Sequence, residues 1–479
     1  MKSGHKSLTD SVITRQNVIL FIAAVMFIGS LIYTGIAPGV SWTAGSALSI
    51  LLLGLILWAF EPVPFGMTSM IIMVLLVMLQ TVNIDVMLSG FSSPAVFLVV
   101  AGVMLVQGVG QTPLIQRISY GLVYKLGTSL RRLFIGMFVL IQFLAFFIPT
   151  NSVRATLLLP LATRVVDSIG AEETSNYNKL IMVGIAFATN LSAVGVLTGA
   201  VSNILAVELL NAYTEYSITY LQWFLYALPL WVILTIIIPF VLLWFYPPEE
   251  VDTESLHEEM EAAYREFGKL SAAEWKCIAV LILTVVLWML ESVHGFHPVI
   301  PAMLAVVLIT LPKVGFVNWK AVVNINFDLI LLIGASLSLG YALTESGALD
   351  VLTDALLTDT LVQLFSNPWV AMVAVIIISQ LYHMVVTNIS TAVVTLVPII
   401  ITISVEVGLN PVMMTFVTAI TLLFGFILAI QSMPNVIIYN EGRIRQKDLV
   451  KPGIVITIIS AAATILVAFT FWNIFGLWP

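Results

Sequence analysis

Asn151-Ser152 and Asn388-Ile389-Ser390 are polar breaks set inside apolar runs in opposite halves of the chain. Each is followed by a second break, Thr198-Gly199-Ala200-Val201-Ser202-Asn203 in the first half and Gln431-Ser432-Met433-Pro434-Asn435 in the second. An amide nitrogen donates to a carboxylate, an amide oxygen ligates a hard cation, and Ser or Thr hydroxyls do either. A break in a membrane helix adds a free helix N-terminus, whose amides and dipole favour an anion, and unwound carbonyls that suit Na+. These residue types therefore point to binding and release of a small anion with a cation nearby. No acid–base pair or metal set accompanies them, so the chain does not read as an enzyme.

The spacing says that one unit has been used twice. Asn151 and Asn388 lie 237 positions apart, and Asn203 and Asn435 lie 232 apart. Interrupted hydrophobic segments at matching places in two halves mark the binding site of a secondary transporter.

The elements that must hold these residues follow from composition. The 479 residues are 60% hydrophobic and 9% charged, with a mean hydropathy of +1.07, which describes a polytopic membrane protein. Backbone amides cannot face lipid unpaired, so the apolar runs must be helices and the breaks must lie in protein or water. Met1–Gln16 is polar, and the run from Val18 to Tyr33 reads as a first span rather than a cleaved signal. Leu133–Phe147 with Ala155–Val166, and Val370–Val386 with Val393–Val407, read as re-entrant helical hairpins turning at Asn151 and Asn388. The expected fold is an all-α polytopic membrane protein: about eleven transmembrane helices plus two re-entrant hairpins in inverted-topology repeats.

Of 19 Lys and Arg, all but Arg154 fall in segments that this arrangement puts on one face, from Lys2, Lys6 and Arg15 through Arg117, Arg131 and Arg132 to Arg443, Arg445 and Lys447. The positive-inside rule makes that face cytoplasmic, with the N-terminus inside and the C-terminus outside a plasma (inner) membrane. Leu114–Arg132 carries four basic residues, whereas its repeat counterpart Ala348–Asn367 carries Asp350, Asp354 and Asp359 and no Lys or Arg. Equivalent segments on opposite faces are what an inverted repeat produces. No G-x-x-x-x-G-K-[S/T] loop is present, so gradients must supply the driving force. Cys277 is the single cysteine and excludes internal disulfides. Much of the acidity behind the net charge of −7 sits in Glu249–Glu266, within the polar stretch Pro247–Lys276, which reads as a cytoplasmic linker, either solvated throughout or with a helix lying at the interface.

Several pieces together resemble the divalent anion/sodium symporter family of dicarboxylate, citrate and sulfate carriers. They are FSSPAVFLVVAGVMLVQGVGQTPLIQR, PTNSVRATLLLP, LTGAVSNILAVELL, FDLILLIGASLSLGYALTESGALDVL, TNISTAVVTLVP and SMPNVIIYNEGRIRQKDLVKPGI, and the likeness covers nearly the whole chain. The resemblance implies a homodimer of the elevator type, with residues 1–130 and 247–365 forming scaffold and linker. Residues 131–246 and 366–479 would then form a mobile transport domain. It implies that Asn151, Ser152, Asn388, Ser432 and Met433 contact the substrate carboxylates. It also implies sodium sites framed by Thr150, Asn151 and Gly199 in one half, and by Asn388 and the Gln431 loop in the other.

The chain departs from the family pattern in places that bear on mechanism. Ile389 stands where the fuller motif has a threonine, and Met433 and Val201-Ser202 replace paired prolines. Phe146 and Gln431 are larger than the residues expected there. Arg154 follows the first tip, and an arginine at membrane depth costs about 2.5–3.5 kcal/mol on insertion scales, so it should face a polar cavity or an anion. His383 lies one turn before Thr387, where a protonated ring would repel Na+. The leading expectation is Na+-coupled symport of small di- or tricarboxylates (succinate, malate, fumarate, 2-oxoglutarate), with no organic cofactor and no nucleic-acid partner. The alternatives are Na+-independent exchange, with Arg154 and His383 as positive charges, and sulfate/Na+ symport.

Overall fold

The computed structural model describes residues 6–127, 129–169, 172, 174–249, 254–356, 359–386 and 388–478; Thr387, Lys2 and Pro479 lie outside them. Regular structure in these residues is helical, without strands. The chain opens with α1 (Lys6–Ile36), α2 (Trp42–Phe60), α3 (Phe65–Met78), α4 (Ile84–Ser89) and α5 (Pro94–Gly110). It continues through α6 (Leu114–Leu126), α7 (Leu130–Leu144), α8 (Asn151–Ser168), α9 (Asn176–Ser192), α10 (Val201–Tyr213) and α11 (Tyr220–Phe245). A linker helix, α12 (Glu254–Glu266), leads to α13 (Ala272–Met289), α14 (Glu291–His294), α15 (Val299–Thr310), α16 (Trp319–Val322) and α17 (Phe327–Glu345). The last part comprises α18 (Ala348–Leu356), α19 (Asp359–Phe365), α20 (Pro368–Val385), α21 (Ile389–Glu406), α22 (Pro411–Leu422), α23 (Met433–Asn440) and α24 (Gln446–Val467).

Among the described residues, eight helices are long and apolar enough to cross a membrane: α1, α2, α11, α13, α17, α20, α21 and α24. A ninth crossing results if α4 and α5, bent by 41° at their junction, count as one span. The expected eleven is not reached on this measure, because α15 and α22 have only 12 residues each and reach about 18 Å at roughly 1.5 Å per residue. Helices α20 and α21, expected as the arms of a re-entrant hairpin, are longer than the apolar runs suggested. At 18 residues each, α20 and α21 reach about 27 Å, near the ~30 Å of a hydrocarbon core. Polar side chains within them are satisfied internally: Thr395 Oγ1 donates to Thr391 O at 2.7 Å and Gln380 Nε2 to Thr421 O at 2.6 Å.

The two halves interlock in a repeated way. Helix α7 packs on α9 and α20 on α22, so each first hairpin arm lies against the broken span that follows it. Helix α10 then packs on α21, and α23 on α8, so the second piece of each broken span docks on the other half's hairpin. Gln142 Nε2 donates to Ala188 O at 3.1 Å, as Gln380 does to Thr421 O, tying arm to span where an unpaired amide would be costly. A second group is formed by α2, α3 and α4 around α17, with α5 and α13 both against α15.

The linker is not the free solvated stretch that its composition suggests. Leu256 and Met260 of α12 are fully buried, and α12 lies along α6, where Tyr124 stacks on His257 at 5.1 Å and on Tyr264 at 5.9 Å. Glu259 accepts from Arg164 Nε at 2.7 Å and from the Ser168 hydroxyl, which reaches the far end of α8. Its acidity covers one face of an amphipathic helix, whose other face finds a partner 140 residues earlier in the chain.

Candidate functional site

A cavity of about 640 Å³ lies between the hairpin tips, within the range of small-molecule sites. Thr150, Asn151 and Ser152 reach it from the first tip, and Asn388, Ile389 and Ser390 from the second. Val201 and Ser202 come from the first broken span, and Met433 and Val436 from the second. These are first-turn residues of α8, α21, α10 and α23, so four helix N-termini meet on one cavity, two from each half. Each contributes the equivalent of roughly half a positive charge and unpaired N–H groups, a concentrated attraction for an anion. The lining contains no Lys, Arg or His.

The tips reach this arrangement by different local routes. Asn388 is an ordinary N-cap, with extended backbone and Oδ1 accepting from Thr391 N at 3.2 Å. Thr150 caps α8 at a φ of 83° with no side-chain cap bond. For a β-branched residue that backbone is a strained outlier, of the kind that collects at ligand sites. Its Oγ1 is buried without a partner, as is Asn151 Nδ2, while Asn151 Oδ1 accepts from Ser152 N at 3.0 Å.

The breaks behind the tips are held open by asparagines. Asn203 Nδ2 donates to Ala193 O at 2.8 Å, and Asn435 Nδ2 donates to Gly425 O at 2.7 Å. Asn190 Nδ2 bridges the halves, donating to Gly425 O at 3.1 Å and to Asn435 Oδ1 at 3.0 Å. Each unwound carbonyl thereby gains a donor that the broken helix no longer supplies.

Thr150, Asn151, Ser152, Asn388 and Met433 therefore line the cavity, whereas Arg154, Gly199, Gln431, Ser432 and His383 do not. Arg154 is fully buried behind the first tip. Its Nη1 donates to Ile148 O at 2.6 Å and its Nη2 to Gly199 O at 2.9 Å, where the sequence suggested contact with the anion. Among the described residues no carboxylate pairs with it. Its charge rests on the carbonyl ends of the first arm and the first break. Ser432 Oγ turns inward and caps Asn435 N at 3.3 Å. Gln431 Oε1 accepts from Ile427 N and Leu428 N, both at 2.8 Å, and so organises its own loop. His383 Nδ1 lies 3.0 Å from Val386 O, and a Cβ on Gly425 would stand 3.1 Å from its Nε2. Phe146 packs among Phe224 and Trp231 with ring centroids at 5.8 and 5.9 Å, on the apolar side of the tip.

This arrangement does not fit Na+ on the expected first-half ligand. The Gly199 carbonyl already carries a guanidinium, and two cations on one oxygen repel. In the second half the Asn388 and Gln431 oxygens are engaged by backbone amides, and an imidazole fills the space beside Gly425. Lining residues that sequence reading did not select are Ser202, Ser390, Asn326, Glu61 and Asp328. Ser390 stands one position beyond the repeat partner of the first-tip serine, which is Ile389. Glu61 and Asp328 carry no local signal, since tertiary packing alone brings the ends of α2 and α17 to the tips.

Residues 15–478 match the model of the sodium:sulfate symporter transmembrane region. The chain is 27% identical to a citrate/succinate antiporter of Escherichia coli, with 82% of this chain and 80% of that protein covered. It is 26% identical to a membrane protein of Cupriavidus necator, covering 90% and 87%. It is also 22% identical to a sodium-dependent dicarboxylate transporter of Staphylococcus saprophyticus, covering 86% and 83%.

Proposed function

This chain belongs to the sodium:sulfate symporter family, and we propose that within it the protein exchanges small dicarboxylates across the plasma membrane without Na+. The observation that carries this reading is the Arg154 guanidinium on Gly199 O, directly behind a cavity ringed by four helix N-termini. A fixed buried cation does the neutralising work that a co-bound Na+ would otherwise do. With a dianion at the tips, its charge meets the combined positive field of the guanidinium and the four helix N-termini and the loaded site can cross; empty, that field is carried unmet into low dielectric and the carrier stalls. Obligatory exchange follows from that asymmetry. The similarity to a citrate/succinate antiporter supports the exchange mode. The moving body on this account comprises the two hairpins with their broken spans (131–246 and 366–479), carried against the remainder in a homodimer, with the N-terminus cytoplasmic and the C-terminus outside.

A second reading, Na+-coupled symport, is favoured by Thr150 Oγ1, which is buried at the cavity wall without a partner and free to ligate a cation, and by the similarity to a sodium-dependent dicarboxylate transporter. Uptake into proteoliposomes separates the two. A panel of C4–C6 carboxylates and sulfate is offered with and without a Na+ gradient and with and without internal counter-substrate. Exchange requires internal anion and ignores Na+. Net uptake driven by Na+ into empty vesicles would overturn it in favour of symport, and selective uptake of sulfate would overturn the substrate class.

A further inference from the structure

The cavity wall facing the tips carries two carboxylates, Glu61 and Asp328, in a lining without any basic side chain. For an anion site this wall has the wrong sign to be a simple trap. Both acids come from helices outside the hairpins and broken spans: Glu61 closes α2 and Asp328 sits in the first turn of α17. Both positions are built. Glu61 holds a φ of 48°, a left-handed conformation that costs any residue with a Cβ, and its N–H closes α2 on Leu57 O at 3.1 Å. Asp328 presses on the start of α3, where a Cβ on Gly66 would stand 2.2 Å from its Oδ1, so the N-terminus of α3 supports its charge. Neither acid forms an ion pair among the described residues. Across the cavity, Ser202 of the lining is only 2% exposed and its Oγ has no partner.

We propose that Glu61 and Asp328 form a charge filter that admits dianions and rejects trianions. The filter deepens the carboxylate reading above and rests on it. A dicarboxylate can set both charges against the helix N-termini of the tips. A third carboxylate must point at the opposite wall, where it meets Glu61 and Asp328 in a partly desolvated space that strengthens repulsion well beyond its value in water. The same repulsion keeps a bound dianion off the stationary wall, so it leaves with the tips.

The test uses full-length protein in proteoliposomes loaded with succinate, with citrate competing against labelled succinate slightly above neutral pH, where citrate is chiefly trivalent. Glu61→Gln should improve citrate relative to succinate as a competitor by about fivefold. Glu61→Asp keeps the charge on a residue that tolerates left-handed backbone, and should hold the wild-type ratio. Asp328→Asn repeats the measurement from the other carboxylate if Glu61→Gln fails to fold. An unchanged ratio in a neutralised variant that still exchanges succinate would overturn the filter, as would an equal shift in Glu61→Asp. Wild-type vesicles that exchange neither anion would instead overturn the carboxylate function, and the filter with it.

Discussion

Asn203 and Asn435 make the same pair of hydrogen bonds in opposite halves of the molecule. Each Nδ2 donates to the carbonyls ten and seven residues before it, Ala193 and Val196 in one case and Gly425 and Leu428 in the other. The repeat is thus preserved in individual bonds, and these bonds keep each span broken. Asn203→Ala should lower stability by about 1–3 kcal/mol, because Ala193 O is left buried without its side-chain donor. Asn435→Ala should cost less, because Asn190 Nδ2 still donates to Gly425 O and the Gln431 amide to Leu428 O. Thermal unfolding in detergent measures both, and equal effects would mean that the Asn190 bridge contributes nothing.

The strained first tip has a separable consequence. Thr150→Gly removes about 1–3 kcal/mol of backbone strain, set against roughly 0.5–1 kcal/mol for the freer unfolded chain. The expected outcome is a raised unfolding temperature with slower transport, because the tip is no longer held in its binding geometry. A variant that is less stable would show that φ at this position is not strained in the native protein.

For Arg154 the expected outcome is a change of transport mode. Arg154→Ala should permit net, unidirectional flux of dicarboxylate, since the empty carrier no longer takes a buried charge across. Arg154→Lys should not restore tight exchange, because a single ammonium lacks the planar fork that reaches both Ile148 O and Gly199 O. Counterflow and net uptake are measured in parallel; strict exchange persisting in Arg154→Ala removes the arginine from the mechanism.

The docking of α12 should depend on pH. The Ser168 hydroxyl, then Arg164, hold the Glu259 carboxyl below its ordinary value. A depressed carboxylate contributes stability that is present above its unfolded pKa and is lost as pH falls through the folded value. Protection of the α12 amides, taken relative to the intrinsic exchange rate at each pH, should therefore be high at neutral pH and fall on acidification past the carboxylate range. Glu259→Gln should give low protection at neutral pH as well, and protection that ignores pH in the wild type would count against this contact.

Much of this protein was legible in its sequence, for reasons that are local. An Asn, Gly or Ser placed inside an apolar run must leave backbone groups unpaired, so the breaks at Asn151, Thr198–Asn203, Asn388 and Gln431–Asn435 announced themselves, and their offsets of 237 and 232 exposed the repeat. Lining of the cavity by Thr150, Asn151, Ser152, Asn388 and Met433 follows from the same signal, because a break's first helical residues face whatever the dipole attracts. What the sequence could not specify is where long or flexible side chains find their partners.

Arg154 looked like an anion ligand, but folding brings Gly199 O, 45 residues away, within 2.9 Å, so the charge stands behind the site instead of in it. Gln431 and Ser432 turn back on their own loop for a related reason: the unwound amides there need acceptors before any ligand does. The acidic linker concealed a docked helix, since its partner α6 lies far away in the chain. The number of crossings depends on how short and broken helices combine across the bilayer. Residue types and spacing determined that this is a twice-used membrane unit with polar breaks; tertiary packing alone decided which of its charges face the cavity, because those contacts join segments that no local pattern connects.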